Sequence, residues 1–470
     1  MHISKLYPSL NKDIIIRGLS NNSKTISKNY IFYAIKGGNH NGEDFIDEAI
    51  ENGAIIIISK HKPKNENIIW IKSNNPKNNY IKDLQCFYHY NTHIYTVGIT
   101  GTDGKTTTSY YLKSIFDILE ASGVIGTNGV AFLNHKYPSI NTTPDAKLLY
   151  SYYNLMDYNN VLKLVVEASS EGIKDSRLKN FNFCGCIASN LSHEHLNSHK
   201  SMDSYFLCKM RLISTLNEKS LLIYNSDDKY MKYAKYYTKG KYASFGEYSG
   251  DYRLTNYLLN LDGSIFDVNY KNSYLGTFKT NLFGKYNILN ALSAIAYAYE
   301  IGIPLPIIKK GIAALNYVDG RFMKYQKNGI TAIIDFAHTP NALKCLLEDI
   351  KRFAKGKIIL VIGAQGQKDK TKRPIMGSIS VKYADIVIFT SEDPKNENIT
   401  DILYDLTKKI KNKDYYISLN RKDAIKLAKA LANKNDIILI TGKGNEKYEK
   451  IGDIKYSHND YNIIKEALNS

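Results

Sequence analysis

Across the last third of the chain, short apolar runs alternate with segments whose apolar positions fall three and four apart. The runs "ITAIIDF", "KIILVIGA", "ADIVIFTS" and "DIILITG" have the length and Ile/Val content of strands covered on both faces. Between them the spacing predicts helices starting at Pro340 and Pro374, one near 399–411 and one over 421–433. That alternation predicts a parallel, doubly wound sheet with right-handed crossovers and ligands at the carboxyl ends of its strands. The loops at those ends are "DFAHTPNA", "GAQGQKDKTKRP", "SEDPKNE" and "TGKGNE".

The first part of the chain is patterned differently. Short strands ("DIIIRGLS", "YIFYAIKG", "AIIIISK") surround one helical stretch, "GEDFIDEAIENGA", with Phe45, Ile46, Ala49 and Ile50 on one face and a stop at Gly53. Between these parts a strand over 94–100 runs into a glycine-rich turn, followed by a helix with Tyr111, Leu112, Ile115 and Phe116 inward. A chain of 470 residues exceeds the roughly 250–300 at which one core stops growing, so several domains are expected. The pattern shifts place them at 1–92, 93–320 and 321–470.

Composition refines this picture. The net charge of +18 would suit an anionic partner, but only eight of the 63 basic residues are Arg. The excess is Lys, alongside abundant Asn, Ile and Tyr, and reads as a Lys-decorated surface. The basic residues look scattered, with no run interleaved with aromatics, so no nucleic-acid partner is expected. Five cysteines at irregular spacing fit a reducing compartment, and the "CGC" at 184–186, inside an apolar run with no partner pair, reads as buried thiols rather than a zinc site. The N-terminus lacks an apolar core of signal-peptide length, and no run approaches the roughly 18 apolar residues of a membrane span. A cytoplasmic protein without membrane insertion is expected.

The chemistry concentrates in "GITGTDGKTTT". Glycines at 101 and 104 let the backbone fold around an anion, and the following helix offers its N-terminal N–H groups. In this reading Lys105 reaches the terminal phosphates of a nucleotide and Thr106 ligates Mg²⁺. Only two residues separate Gly101 from Gly104, where the usual phosphate-loop spacing is four. "LKLVVEASSEG" places a single acid, Glu167, at the carboxyl end of a strand, where a metal-binding carboxylate belongs. "SNLSHEHLNSH" brings His193, His195 and His199 together without the cysteines or the helical H-E-x-x-H of a zinc site. One imidazole on a Mg²⁺ shell is the preferred reading, and a structural cluster is the alternative.

Taken together, these loops resemble the Mur ligases, ATP-dependent amino-acid ligases of peptidoglycan precursor synthesis, over essentially the whole chain. In that family the loop is T-G-T-x-G-K-T, as in "TGTDGKT". "NNSK" and "AIKGGNHNGEDFIDEAIENGA" are similar to its uridine-nucleotide domain, "NTTPD" to its T-T-P loop, and "EASSEGIKDSR" to its E-V-S-S-H-x-L segment. "YFLCKMRLI" is similar to Y-F-x-A-K-x-x-L-F, "LFGKYNILNAL" to the segment near adenine, and "VDGRF" and "IIDFAHTPNAL" to segments that close on the nucleotide.

The resemblance implies an α/β protein of three domains: a small uridine-nucleotide domain, a central P-loop ATPase-like parallel sheet and a C-terminal Rossmann-like domain. It implies ATP contacts at Gly101, Thr102, Gly104, Lys105, Thr106, Thr107, Asn287, Asn290, Arg321 and Asp335. The substrate UDP-N-acetylmuramoyl-L-alanyl-D-glutamate (UDP-MurNAc-L-Ala-D-Glu) is expected at Ser23, Thr142, Thr143, Ser169, Arg177 and Lys209. A free amino acid, such as lysine or meso-diaminopimelate, is expected at His338, Arg373, Asp393, Lys395, Gly442 and Glu446. Thr106, Glu167, His195 and a carbamylated Lys209 are the implied metal residues, for two Mg²⁺ ions, and with Lys105 they carry the catalysis. A monomer is expected. The implied branch adds the third amino acid.

Departures fall in the C-terminal loops. The family's D-N-P-R is "EDPK" here, with Asp393 for Asn and Lys395 for Arg, and "GKGHE" is "GKGNE". Lys395 could attract a distal carboxylate but not grip it bidentately, while Asp393 could favour an amino acid ending in an amine. Two other readings are weighed. A related amide ligase with another acceptor would not need the N-terminal uridine pattern; a nucleotide-driven switch would not need the C-terminal loops.

Overall fold

Within the C-terminal part, alternate residues of one strand belong to two separate cores, which shows why its strands are apolar throughout. The computed structural model describes every residue except Asn11, Gly38 and Asn39. Strand Ile358–Ile362 sends Ile358, Leu360 and Ile362 into a core with Leu343, Leu347, Met376 and Leu406. Its Ile359 and Val361 pack instead with Ala424, Ile425, Ala428, Ile464 and Leu468. Helices therefore cover both faces, as a doubly wound sheet requires.

The strand order there is Met323–Lys327, Ile330–Asp335, Ile437–Thr441, Ile358–Ile362, Ile386–Thr390, Tyr416–Ser418. All pairings are parallel except that of the first edge strand. Parallel pairing puts the four expected functional loops at one edge. The helices begin where capping chemistry starts them: Thr339 before Pro340–Lys351, Asn398 before Ile399–Thr407, and Asn420 before Arg421–Leu431 accept backbone N–H bonds through their side chains. The helix expected from Pro374 begins one residue earlier, at Arg373. The one expected over 399–411 ends at Thr407, whose hydroxyl turns back to the Leu403 carbonyl. A hairpin, Tyr448–Ile451 with Ile454–Ser457, and a final helix Asp460–Asn469 complete this part.

By its internal contacts the chain divides into two compact units, the first holding residues 1–96, 121–164 and 171–182 and the second the remainder. The first contains a parallel sheet in the order Gly18–Ser20, Tyr30–Tyr33, Ala54–Ser59, Ile69–Lys72. Of the strand expected in "DIIIRGLS", only Gly18–Ser20 is formed. The helical stretch starts as a tight 3₁₀ turn, Gly42–Phe45, and becomes α-helical over Ile46–Glu51. Asn41 caps the turn, and the Glu43 carboxylate is drawn away to the Lys60 and His61 N–H groups. Gly53 ends the stretch at φ +107° with the Lys28 backbone close against it. Gly38 and Asn39, part of the uridine-type pattern, lie outside the described residues. A meander, Ser122–Gly126, Gly129–Phe132 and His135–Tyr137, belongs to the same unit.

Strand Tyr95–Thr100, whose residues 97–100 belong to the second unit, lies between Gly185–Ala188 and Lys163–Glu167. Beyond Gly185–Ala188 the parallel order continues through Leu221–Asn225 and Lys241–Gly246. Three antiparallel strands spanning Tyr252–Thr280 then extend the sheet. All five cysteines are free and Cys186 is buried, its thiol pushed up to about 12 by desolvation. Of the "CGC" pair expected to be buried, Cys184 is only half-buried, and Cys86, near the end of helix Pro76–Phe87, is exposed. Among the described residues no helix is long and apolar enough to cross a membrane.

Candidate active site

Strand Tyr95–Thr100 ends in a loop that only glycine can make. A Cβ on Gly101 would fall 1.9 Å from the Ser189 hydroxyl oxygen; one on Gly104, at φ +82°, would fall 2.2 Å from Asn290 Oδ1. Gly104 is the N-cap of helix Lys105–Phe116 and no side chain caps it, so the first-turn N–H groups remain available to an anion. Lys105 Nζ folds back on the Gly101 and Thr102 carbonyls at 2.9 and 2.7 Å. Lys209 Nζ, from helix Met202–Ile213, donates to the same Gly101 carbonyl at 2.8 Å.

A buried and a half-buried ammonium group on one carbonyl are expensive to keep charged. Burial and then the neighbouring Lys105 hold Lys209 well below the usual lysine range, and burial also lowers Lys105. Thr106, the next helix residue, donates its hydroxyl to Glu167 Oε2 at 3.0 Å and accepts from the Arg321 guanidinium at 3.2 Å. Glu167 is fully buried at the end of its strand. Thr102 and Thr107 are buried beside them. His195 sits in the left-handed region, φ +59°. Burial, then Lys105 and Lys209, push its imidazole down to about 2, so it is neutral at physiological pH.

The remaining expected nucleotide residues surround this loop. Asn290 packs on Gly104 and donates to Asn287, which in turn donates to the Phe283 carbonyl. Asp335 is buried and accepts the Phe322 and Ala337 N–H groups at 2.8 Å each, which fixes the turn carrying Arg321. Desolvation raises the Asp335 carboxyl, and Arg321 opposes the rise.

Several contacts here were not expected from sequence. Asp103, the variable residue of the loop, accepts hydrogen bonds from the hydroxyls of Ser192 and Thr339, each at 3.0 Å. Thr339 is also the cap of helix Pro340–Lys351. Glu194 pairs with Lys372 at 2.8 Å, both buried, and His193 meets the Thr371 hydroxyl at 2.7 Å. The loop bearing His195 is thus clasped by residues 369–372, so His193 is accounted for without a metal.

At the other expected loops, His338 is half-buried with Nδ1 on the Phe336 carbonyl. Asp393 Oδ1 accepts from Lys443 Nζ at 2.8 Å, and Lys443 also bonds Glu446 at 2.8 Å. Asp393 and Lys395 both have positive φ, +45° and +55°, a local strain of the kind found at ligand clamps. Gly442, at φ +109°, admits the Glu392 carboxylate, whose Oε2 lies 2.0 Å from where a Cβ would stand. Glu392 is buried and neither of its oxygens accepts a hydrogen bond among the described residues. Desolvation pushes its carboxyl up to about 7. Its nearest cations are engaged elsewhere: Arg421 with Asp460, Lys443 with Asp393 and Glu446, Lys372 with Glu194.

Arg373, expected beside the amino acid, is fully buried and bonds Glu397 twice, Asp405 and the Gln365 carbonyl at 2.7–3.1 Å. It thereby ties together the loops at 365 and 397. Arg373→Ala takes the buried cation from Glu397 and Asp405, leaving them the more exposed Lys370 and Lys408, and unfolding by denaturant should show a loss of about 3 kcal/mol. An unchanged midpoint would refute this structural role.

In the first unit, Thr143 and Arg177 come together, Arg177 donating to the Thr143 carbonyl at 2.8 Å, and the Thr142 hydroxyl meets that of Thr127 at 3.0 Å. Ser23 stands at the small sheet and donates to Glu48 at 2.6 Å. Ser169 is half-buried just beyond Glu167 in the second unit.

For a metal, the protein donors are sparse. Among the described residues no group of three or more His, Cys, Asp or Glu could hold an ion. One hydroxyl and one carboxylate, Thr106 and Glu167, suit Mg²⁺, which keeps several waters and takes phosphate oxygens from a nucleotide. The donor set fits that ion and not zinc.

Residues 15–94, 99–298 and 320–444 match the family profiles described as "Mur ligase family, catalytic domain", "Mur ligase middle domain" and "Mur ligase, glutamate ligase domain". The chain is 35% identical, over 96% of its length and 94% of the relative's, to the UDP-N-acetylmuramoyl-L-alanyl-D-glutamate--2,6-diaminopimelate ligase of Aquifex aeolicus. It is also 35% identical to UDP-N-acetylmuramyl-tripeptide synthetase 2 of Oceanobacillus iheyensis, over 97% and 94%. A solved UDP-N-acetylmuramoyl-L-alanyl-D-glutamate--2,6-diaminopimelate ligase superposes with TM-score 0.67 at 25% identity, covering 100% of this chain and 99% of that one. The MurF ligase of Thermotoga maritima, solved with ADP, shares the fold at TM-score 0.69 and 22% identity, covering 97% and 99%. The loop that only glycine can make, its lysine, threonine and carboxylate, and matches along nearly the whole chain lead to one conclusion: this chain belongs to the Mur ligase family.

Proposed function

We propose that this chain is an ATP-dependent ligase of the cytoplasm, acting as a monomer, that joins a third amino acid to UDP-MurNAc-L-Ala-D-Glu. The carrying observation is the convergence of Lys105, Lys209, Thr106 and Glu167 on the Gly101–Gly104 loop. Three domains, 1–92, 93–320 and 321–470, divide the work: uridine nucleotide, ATP and amino acid.

A carboxylate is a poor electrophile because its leaving group would be oxide. Transfer of the γ-phosphoryl of ATP to the D-glutamate side-chain carboxylate makes an acyl phosphate, and attack by an amine releases phosphate and forms the amide. The residues supply what that sequence needs. Lys105 leaves its two carbonyls to meet the terminal phosphates, and Gly101, Thr102, Gly104 and Thr107 present backbone to them. Thr106 and Glu167 would hold Mg²⁺, which would supply neutralisation of phosphate charge. Arg321 stands where it can turn from Thr106 to the transferring group. Asn287, Asn290 and Asp335 position the nucleotide side of the site.

Lys209, buried and depressed in basicity, is the amine we assign to carbamylation, since only an unprotonated amine adds carbon dioxide. With His195 it would hold a second Mg²⁺ beside the acceptor. Ser23 is assigned to the uridine portion of the acceptor, and Thr142, Thr143, Ser169 and Arg177 to its peptide.

For the incoming amino acid we assign meso-diaminopimelate. Its distal end is a zwitterion and calls for both signs of charge. Lys395 and Lys443 stand on the same loops as Asp393, Glu392 and Glu446, with His338 and Gly442 alongside. Glu392, which accepts no bond among the described residues, can accept one from an amine. Arg373 positions these loops.

The test is phosphate release from ATP with UDP-MurNAc-L-Ala-D-Glu and, in parallel, meso-diaminopimelate, L-lysine, L-ornithine or no amino acid. Release should require the acceptor and be fastest with diaminopimelate, giving a product heavier by that residue. Release indifferent to both substrates would replace the ligase by an ATP-driven switch, and preference for L-lysine would overturn the reading of "EDPK".

A further inference from the structure

The segment Lys229–Tyr242, "KYMKYAKYYTKGKY", contradicts the expectation that basic residues are nowhere interleaved with aromatics. It holds five lysines, five tyrosines and no acid in 14 residues. At the chain's overall frequencies such a segment would hold about one tyrosine and about two lysines. The general Lys/Tyr bias hid the run, yet does not account for it.

Its first nine residues are a triplet repeat, K-Y-M, K-Y-A, K-Y-Y, and Met231–Tyr237 forms a 3₁₀ helix of seven residues. A 3₁₀ helix has three residues per turn, so positions three apart eclipse, and runs beyond three or four residues are uncommon. The period of the sequence and the period of the helix therefore coincide, and each triplet position becomes a row. Met231 and Ala234 form the inward row, both fully buried. Within the helix Lys232 and Lys235 lie on a second row and Tyr233 and Tyr236 on a third, with about 6 Å between members; Lys229 and Tyr230 stand just before it, Tyr230 half-buried against Phe206.

Each lysine Nζ stands 5.1–5.6 Å from the ring centre of the tyrosine that follows it. Tyr233 and Tyr236 are 49% and 72% exposed, and Tyr242 and Tyr248 are exposed nearby. Local acids do not neutralise the lysines. Asp228 accepts the Tyr230, Met231 and Leu191 N–H groups, Asp227 accepts those of residues 247–249, and Glu247 pairs with Lys285. Among the described residues no ion pair involves Lys229, Lys232, Lys235, Lys239 or Lys241. Asp228 also fixes the first turn of the helix to the sheet-end loop at Leu191, which makes the rows a rigid mount.

We propose that these rows form a binding surface for single-stranded nucleic acid. A row of exposed rings offers stacking to bases of any sequence, and a parallel row of unpaired ammonium groups follows the phosphates; together these are the elements of sequence-tolerant single-strand recognition. A membrane surface fits less well, because the outward row carries phenols and no aliphatic side chain to insert. The net charge of +18 adds long-range attraction for a polyanion.

The test is fluorescence anisotropy of a labelled oligouridylate of about twelve nucleotides, with the protein saturated with ADP and Mg²⁺ to occupy the phosphate loop. Vesicles containing phosphatidylglycerol are run in parallel. Binding should fall with salt, with a log–log slope of about −2 for three lysine contacts. Tyr233→Ala with Tyr236→Ala should weaken it about tenfold or more, whereas Tyr→Phe at both positions should preserve it. Lys229→Gln, Lys232→Gln and Lys235→Gln together should flatten the salt slope. Absence of oligonucleotide binding at low salt, equal binding by the Tyr→Ala variant, or binding to vesicles alone would each overturn the proposal.

Discussion

Lys105→Ala is expected to lower phosphate release from ATP by about 10³-fold, the scale on which a single aimed donor to developing charge matters. The expectation rests on position. Lys105 is the first residue of the helix after Gly104, and among the described residues its ammonium is held by two loop carbonyls, Gly101 and Thr102. Those carbonyls cannot compete with a phosphate, so the group is poised to transfer its bonds to the nucleotide. Removing it leaves Thr106 and Glu167 in place, and the folded structure should survive. Thermal unfolding of the variant should therefore match the parent while turnover is lost; turnover within a few-fold of the parent would refute the role.

Lys209→Ala is expected to lower product formation by at least about 10²-fold, with partial return on addition of formate or acetate. A small carboxylic acid can occupy the space of the lost side chain and replace the carboxylate that carbamylation would create. A mutant that is inactive with or without the added acid would point to packing or to an ordinary amine. The depressed basicity of Lys209 follows from burial and from Lys105 beside it. Normal turnover in the variant would remove Lys209 from the mechanism.

The parts of this molecule that could be read from the sequence are those governed by local rules. Gly101 and Gly104 announce a loop without Cβ atoms, Glu167 sits at the end of an apolar run, and the strand runs after residue 330 alternate with capped helices. What escaped reading was pairing across distance. Arg373 belongs with Glu397 and Asp405, Lys372 with Glu194, and Lys443 with Asp393, and no local period encodes such partners. The resemblance singled out Arg373, and nothing local in the sequence singled out Arg421, which bonds Asp460 in the core. The antiparallel strands over Tyr252–Thr280 escaped because their outward positions carry Lys, Asn and Thr and blur into the polar background. The 3₁₀ triplets escaped for a related reason, since a period of three matches neither the helical nor the strand template.

The central claim is that ATP activates the acceptor carboxylate as an acyl phosphate. It is tested most directly by labelling both oxygens of the D-glutamate side-chain carboxylate of UDP-MurNAc-L-Ala-D-Glu with ¹⁸O and determining the mass of the phosphate released. The account predicts that one labelled oxygen per turnover appears in the inorganic phosphate and the other remains in the new amide. Unlabelled phosphate released alongside the amide product would contradict it.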